Sequence, residues 1–314
     1  SIIIFSTKTN SVINKFNFYK KKYKKKEIKL NFYLEENIIY VSDNIGYLYS
    51  YDYLSNKVVW AINNKLPFKS NIKVFENKIV SSDINNNLIF FDKTNGTILK
   101  LIPTENNVIR NQFINNLSLT KDNLFFLNSY GSLYSIDNKK MKLNWFINLN
   151  PSLALNHSRL FDGSKIIANE KIVLVSSNNK TFIIDQKTGT ILNKFNFSSE
   201  IRPIIHNNLI FLITKGGYLV VIDAENYEIL YSKNISSEVS KFLEAKEKSL
   251  FFKDLFLLND NITIFLNNSF VLEFKNTGEL NNIKKLPSKI KSTPISINSK
   301  LIYLNKKNKL VILN

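Results

Sequence analysis

Cysteine is missing from this chain, which removes disulfides, thiolate metal sites and cysteine nucleophiles from consideration. Glycine and proline are scarce, at 8 and 6 residues, so a collagen-like or low-complexity disordered class is excluded. Histidine occurs only at His157 and His206; neither has a second ligand at matched spacing, and both read as surface or loop residues. Nowhere does a run of 18 uncharged apolar residues occur, so no stretch reads as a transmembrane helix.

What is present is a chain of 314 residues with 44% hydrophobic content, enough to bury a sizeable core. The net charge is +18, yet it comes from lysine spread along the chain with arginine nearly absent, the bias that AT-rich coding produces whatever the function. Nucleic-acid modules add aromatic platforms or an arginine-rich reading helix, and neither is visible, so no nucleic-acid partner is expected. The one dense basic run, Lys20 to Lys26 around Tyr23, falls between two strand-like segments and reads as a solvated loop.

The strongest signal is a repeat. The stretch TFIIDQKTGTILNKF, Thr181 to Phe195, reads as a strand ending on Asp185, a turn through Lys187, Thr188 and Gly189, and a second strand from Ile191. A carboxylate at a strand end accepts hydrogen bonds from turn N–H groups, and a glycine four residues on supplies the positive φ that closes a short hairpin. The same punctuation recurs at Ser6, Asp52, Asp92, Asp137, Asp223, Phe274 and Asn314, with gaps of 38 to 51 residues. Six residues before an anchor stands only Gly or Asn: Gly46, Asn86, Gly131, Asn179, Gly217, Asn268 and Asn308, which predicts a second tight turn. Four residues after it come Asn10, Asn56, Gly96, Gly189 and Gly278, with Met141 and Tyr227 as departures. Eight residues after it, Trp60, Trp145 and Tyr231 place a large aromatic on the following strand as a blade-packing residue, whereas Asn14, Lys100, Asn193 and Asn282 do not.

Three apolar strands and two turns precede each gap, and a fourth strand completes a four-stranded antiparallel meander. Apolar residues on both faces call for sheets stacked on one another, and radial stacking covers every sheet with two neighbours. The expected fold is therefore all-β, a single β-propeller domain over residues 1–314. Counting anchors gives eight blades, the first represented only by its two outer strands; seven is the alternative, if Val12 to Phe18 closes the last blade. The chain opens at Ser1 partway through a repeat, so a fuller protein with an N-terminal portion is expected. Two segments lengthen the repeat: Glu238 to Lys248, read as an inserted helical turn or extended loop, and Pro151 to Lys165.

The segments GYLYSYD, GSLYSID, DKTNGTIL and DQKTGTIL resemble degenerate copies of the pyrroloquinoline-quinone-type propeller repeat, whose pattern is roughly G-x-L-x-A-x-D-x-x-T-G-x-x-x-W. Within that superfamily eight blades, this length and the absence of catalytic insertions resemble the BamB family of outer-membrane assembly lipoproteins. That resemblance implies a non-catalytic periplasmic scaffold, associated with the outer membrane only through a lipid anchor outside this chain. It also implies protein partners: a POTRA domain of the barrel subunit BamA, and unfolded outer-membrane proteins. No cofactor is implied.

Two other readings share the repeat. A quinone-dependent dehydrogenase needs an Asp base, Ca²⁺ ligands, basic contacts to the quinone and usually a vicinal cysteine pair. Cysteine is absent, and among the carboxylates outside the anchors, Asp162 and Asp254 have nothing nearby to complete a site. A generic interaction propeller differs from the assembly scaffold only in its partner. The anchors Asp52, Asp92, Asp137, Asp185 and Asp223, with Gly46, Gly131 and Gly217, read as structural turns, and function is expected where the chain departs from the repeat.

Overall fold

Apolar segments separated by tight turns satisfy their backbone N–H and C=O groups by pairing as antiparallel meanders. The computed structural model describes residues 2–19, 23, 27–105, 114–150, 161, 166–177, 179–244, 246–258, 260–297 and 300–313. Most of the basic run Lys20 to Lys26, the insertion Pro151 to Lys165 apart from Phe161, His157, Asp162 and the anchor Asn314 lie outside the described residues. The chain divides into two compact units, Ser1–Asp162 and Gly163–Asn314.

In the first unit β1 (Ile2–Ser6) and β2 (Ser11–Phe16) form a hairpin. Three four-stranded sheets follow in chain order: β3 (Leu30–Glu35), β4 (Ile38–Asp43), β5 (Tyr47–Asp52) and β6 (Lys57–Asn63); β7 (Lys73–Phe75), β8 (Lys78–Ser82), β9 (Leu88–Asp92) and β10 (Ile98–Ile102); β11 (Asn116–Leu119), β12 (Asn123–Leu127), β13 (Ser132–Asp137) and β14 (Leu143–Asn148). The second unit continues with β15 (Ile167–Ala168), β16 (Ile172–Ser177), β17 (Lys180–Asp185) and β18 (Ile191–Phe195), then β19 (Ile204–His206), β20 (Leu209–Ile213), β21 (Tyr218–Asp223) and β22 (Ile229–Asn234). A helix, α1 (Ile235–Phe242), leads to β23 (Phe252–Leu258), β24 (Asn261–Leu266), β25 (Phe270–Phe274) and β26 (Leu280–Lys285), and a three-stranded sheet of β27 (Ile295–Ile297), β28 (Lys300–Leu304) and β29 (Leu310–Leu313) ends the chain.

The middle strands explain the stacking. Along β8 and β9 nearly every residue is buried, because successive side chains point to opposite faces and both faces are covered. Ile79, Ile89 and Phe91 pack with Tyr40 and Leu48 of the preceding sheet, while Val80 and Phe90 pack with Leu117 and Phe126 of the following one. In the second unit Leu212 and Val220 join Leu174 and Ile183, whereas Phe211 and Val221 join Ile264 and Leu272. The fourth strands are mostly exposed, as β10 and β14 show.

This is a β-propeller of seven blades, three in the first unit and four in the second, and the preferred count of eight gives way to the alternative of seven. Counting anchors counted turns, and the first anchor belongs to a hairpin with no inner strands. β1 and β2 pair only two strands wide and place Ile2, Ile4 and Phe16 against Val41, Tyr49 and Tyr51 of the β4–β5 face. This two-stranded sheet covers a blade without constituting one. The insertion after β22 is helical, but α1 begins at Ile235, earlier than Glu238. Its N-cap is Asn234, whose side-chain oxygen accepts from the Ser237 N–H at 3.1 Å.

Candidate interaction site

The anchor turns come first because their carboxylates are the obvious chemical candidates. Asp185 Oδ1 accepts from the backbone N–H of Lys187 at 2.9 Å and of Thr188 at 2.7 Å, and the Asp185 carbonyl accepts from Gly189 N–H at 3.0 Å. Asp52 accepts from Leu54 and Ser55, Asp92 from Thr94, Asp137 from Lys139 and Lys140, and Asp223 from Glu225 in the same way. Hydrogen bonds to the charged form favour it. The Ser55 hydroxyl holds the Asp52 carboxyl below its ordinary value, as the Thr94 hydroxyl does for Asp92. The backbone N–H groups of Lys140 and Thr188 lead the same effect at Asp137 and Asp185. Carboxylates so occupied, at Asp52, Asp92, Asp137, Asp185 and Asp223 in five of the seven blades, are turn caps.

Each turn closes on a residue four after the anchor with left-handed backbone. This holds at Asn10, Asn56, Gly96, Gly189 and Gly278, and also at Met141 (φ 51°) and Tyr227 (φ 62°), which the sequence pattern set apart. Both compensate by packing their side chains on the buried clusters of their own unit. At the turn between second and third strands, Gly46, Asn86, Gly131, Gly217 and Asn308 take positive φ; in the β24–β25 turn the left-handed residue is Ser269 (φ 80°), one after Asn268.

In the six four-stranded sheets the pairing of third and fourth strands slips by one residue at or just before the anchor, as between Ser50 and Tyr51 or between Val221 and Ile222. The bulge turns the fourth strand, and at Asn14, Trp60, Asn193 and Tyr231 the residue eight after the anchor reaches the next sheet. Trp60 Nε1–H donates to the Lys93 carbonyl at 3.2 Å, and its ring lies over Gly96, where an added Cβ would stand 2.7 Å from Cζ3. Tyr231 O–H donates to the Asn276 carbonyl at 2.7 Å and its ring lies over Gly278; burial pushes its phenol up to about 12. Two asparagines, which the aromatic pattern passed over, make the same lateral bond. Asn193 Nδ2 reaches the Tyr227 carbonyl at 2.9 Å and Asn14 Nδ2 the Tyr53 carbonyl at 3.3 Å. Trp145 faces Phe125 within its own sheet, with ring centroids 6.0 Å apart.

The opposite ends of the sheets carry a second set of caps that the sequence reading missed. Asp43, Asp83, Asn128, Thr214 and Asn305, each nine residues before an anchor, accept from backbone N–H groups of the following turn. Their spacing was the available signal. Asp43 and Asp83 are buried, and Asp43 also accepts from the Tyr19 hydroxyl at 2.7 Å. Nearby in the first unit Glu105 gathers the Tyr134 hydroxyl, the Ser132 hydroxyl at 2.8 Å and the Asn128 amide at 3.0 Å, tying the link after β10 to the β12–β13 turn.

None of these groups assembles a reaction centre. Among the described residues no three His, Asp or Glu side chains converge on a metal position, and Asp254 simply accepts from the Leu255 N–H at 3.0 Å on β23. The donor set a bound quinone with Ca²⁺ requires is therefore not met by the described carboxylates. Exposed apolar residues instead line the fourth strands, with Val59, Leu99, Leu101, Phe146 and Leu230 each open to solvent, and gather at the end of α1 and just beyond it at Phe242, Leu243 and Phe251. Among the described residues no helix is long and apolar enough to cross a membrane.

Comparison with known proteins places this geometry. No curated protein matches the sequence significantly. Among solved structures the chain is similar to BamB from Moraxella catarrhalis, at a TM-score of 0.74 and 12% identity over 96% of this chain and 88% of that one. It is also similar to the C-terminal WD40 domain of Sif2 (TM-score 0.61, 12% identity, 91% of this chain and 81% of that one) and to the computationally designed Ika8 protein (TM-score 0.54, 12% identity, 90% and 94%). A family model described as outer membrane protein assembly factor BamB matches residues 20–233, well over half of the sequence, and the chain belongs to that family.

Proposed function

We propose that this chain is a non-catalytic periplasmic scaffold of outer-membrane β-barrel assembly that binds a POTRA domain of BamA and unfolded outer-membrane proteins. The observation that carries the reading is the family match across residues 20–233, which spans repeats whose carboxylates cap turns and do not converge. Exposed apolar residues on the outer strands give a partner both side chains and unpaired backbone to bind. The fourth strand of each four-stranded sheet is an edge, so a partner strand adds to it without unfolding anything.

Isothermal titration of the purified chain with the POTRA domains of BamA from the same organism tests this, with a soluble quinone plus Ca²⁺ as the second titrant. Saturable POTRA binding at micromolar strength, about −8 kcal/mol, and no saturable quinone uptake are expected. Quinone uptake with alcohol-dependent dye reduction overturns the scaffold reading, as does a folded chain that leaves the POTRA domains unbound.

A further inference from the structure

Helix α1 is the described element that the propeller repeat does not require. It lies in the longest gap between anchors, between Asp223 and Phe274, and per-repeat insertions are where repeat proteins put binding surface. Ile235 is fully buried and Val239 packs on the β23–β26 core, which fixes the helix to the blade. The chain beyond it leaves a groove against that sheet of about 270 Å³. Val239, Leu243, Leu250, Leu272 and Ile283 supply its apolar lining. Leu243 is 53% exposed and Phe251, next to Leu250, is 70% exposed, so the apolar surface continues out of the groove.

The charged side chains that line the groove have one sign. Lys246 and Lys248 are both exposed and line it, no carboxylate does, and Lys285 stands over the ring of Phe270, another lining residue, at 5.9 Å. The nearest ion pairs on these elements, Lys241 with Glu238 and Lys284 with Glu273, leave Lys246 and Lys248 out. The volume falls below the roughly 300–1,000 Å³ of small-molecule sites, which suits one or two inserted side chains.

We infer that the groove between α1 and β24–β26 docks a short acidic segment of another protein, seating one or two large apolar side chains between Val239, Leu243 and Leu250 while its carboxylates meet Lys246 and Lys248. This goes beyond the scaffold reading, which places its partners on outer-strand edges and not in this groove. It stands or falls separately from it, because POTRA binding elsewhere on the chain leaves it untouched.

The test uses the full chain and three labelled twelve-residue probes: an acidic peptide with a central Leu-x-x-Phe, the same peptide with Leu and Phe replaced by Ser, and a charge-swapped version with Lys for each acid. Fluorescence anisotropy is expected to show saturable binding of the first alone. Exposed-surface substitution K246E/K248E should weaken it about tenfold or more and create binding of the charge-swapped probe. Leu243→Asp should weaken it without reversing charge preference, and methyl shifts in NMR should locate it at Val239 and Leu250. Equal binding by wild type and K246E/K248E, binding of the Ser-substituted probe, or no saturation up to about 1 mM overturns the inference. Binding of anionic phospholipid vesicles through Lys246 and Lys248, with no peptide binding, also overturns it. If the POTRA titration succeeds while the peptide fails, the inference fails and the scaffold reading survives.

Discussion

Replacing Gly96 by alanine probes the contact between consecutive blades most sharply. Gly96 has φ +75°, and a Cβ there would stand 2.7 and 2.8 Å from Trp60 Cζ3 and Cε3 and 3.1 Å from Ile62 Cγ2. The left-handed backbone alone costs an L-residue about 1–2 kcal/mol. Forcing the indole aside adds overpacking of about 1–3 kcal/mol and strains its hydrogen bond to the Lys93 carbonyl, so the sum is about 2–5 kcal/mol. Gly217 provides the control: its φ is +78°, but the nearest atom an added Cβ meets is Phe252 Cε2 at 3.8 Å, so Gly217→Ala should cost the backbone term alone. Urea unfolding followed by far-UV circular dichroism reads both. Adding Trp60→Leu should shrink the Gly96→Ala penalty to that of Gly217→Ala, a coupling of about 1–3 kcal/mol in the double-mutant cycle. Equal penalties at Gly96 and Gly217, or no coupling to Trp60, would refute the lateral lock.

Asp185→Ala should lower stability by about 1 kcal/mol, the worth of a cap, and leave partner binding unchanged in the POTRA titration. The carboxyls of Asp52, Asp92, Asp137 and Asp185 lie below their unfolded values, so their contribution is present above about pH 4 and is lost as pH falls through the folded values. Replacing all four with Asn should flatten the acid limb of Tm against pH, measured by scanning calorimetry. Tyr231→Phe keeps the ring over Gly278 and removes the bond to the Asn276 carbonyl; a loss of about 1 kcal/mol in urea unfolding is expected. Tyr134→Phe strips one donor from Glu105 in a half-buried network and should cost about 1–3 kcal/mol in the same assay.

The repeat was legible because its signals are local: an acid at a strand end, a left-handed residue four later, Gly or Asn six before. Those types report backbone demands directly. What escaped was set by neighbours. Asn14 and Asn193 look unlike Trp60 and Tyr231 in sequence, yet one amide proton aimed at the next turn's carbonyl does the same job as an indole N–H. Met141 and Tyr227 looked like breaks in the turn, but side-chain burial offsets their left-handed backbone. The blade count went astray because the Ser6 turn is locally indistinguishable from the others, and only its partner strands show that β1 and β2 form a cover. The start of α1 was obscured because Ile235 continues the apolar pattern of β22; the Asn234 cap marks the change.

Hydrogen–deuterium exchange of the chain with and without the POTRA domains tests most directly whether function lies in the departures from the repeat. The account predicts protection confined to outer strands or inter-blade links of a few adjacent blades, with the Asp52, Asp92, Asp137, Asp185 and Asp223 turns exchanging as before. Protection concentrated at those anchor turns, or none anywhere at saturating POTRA, would contradict it.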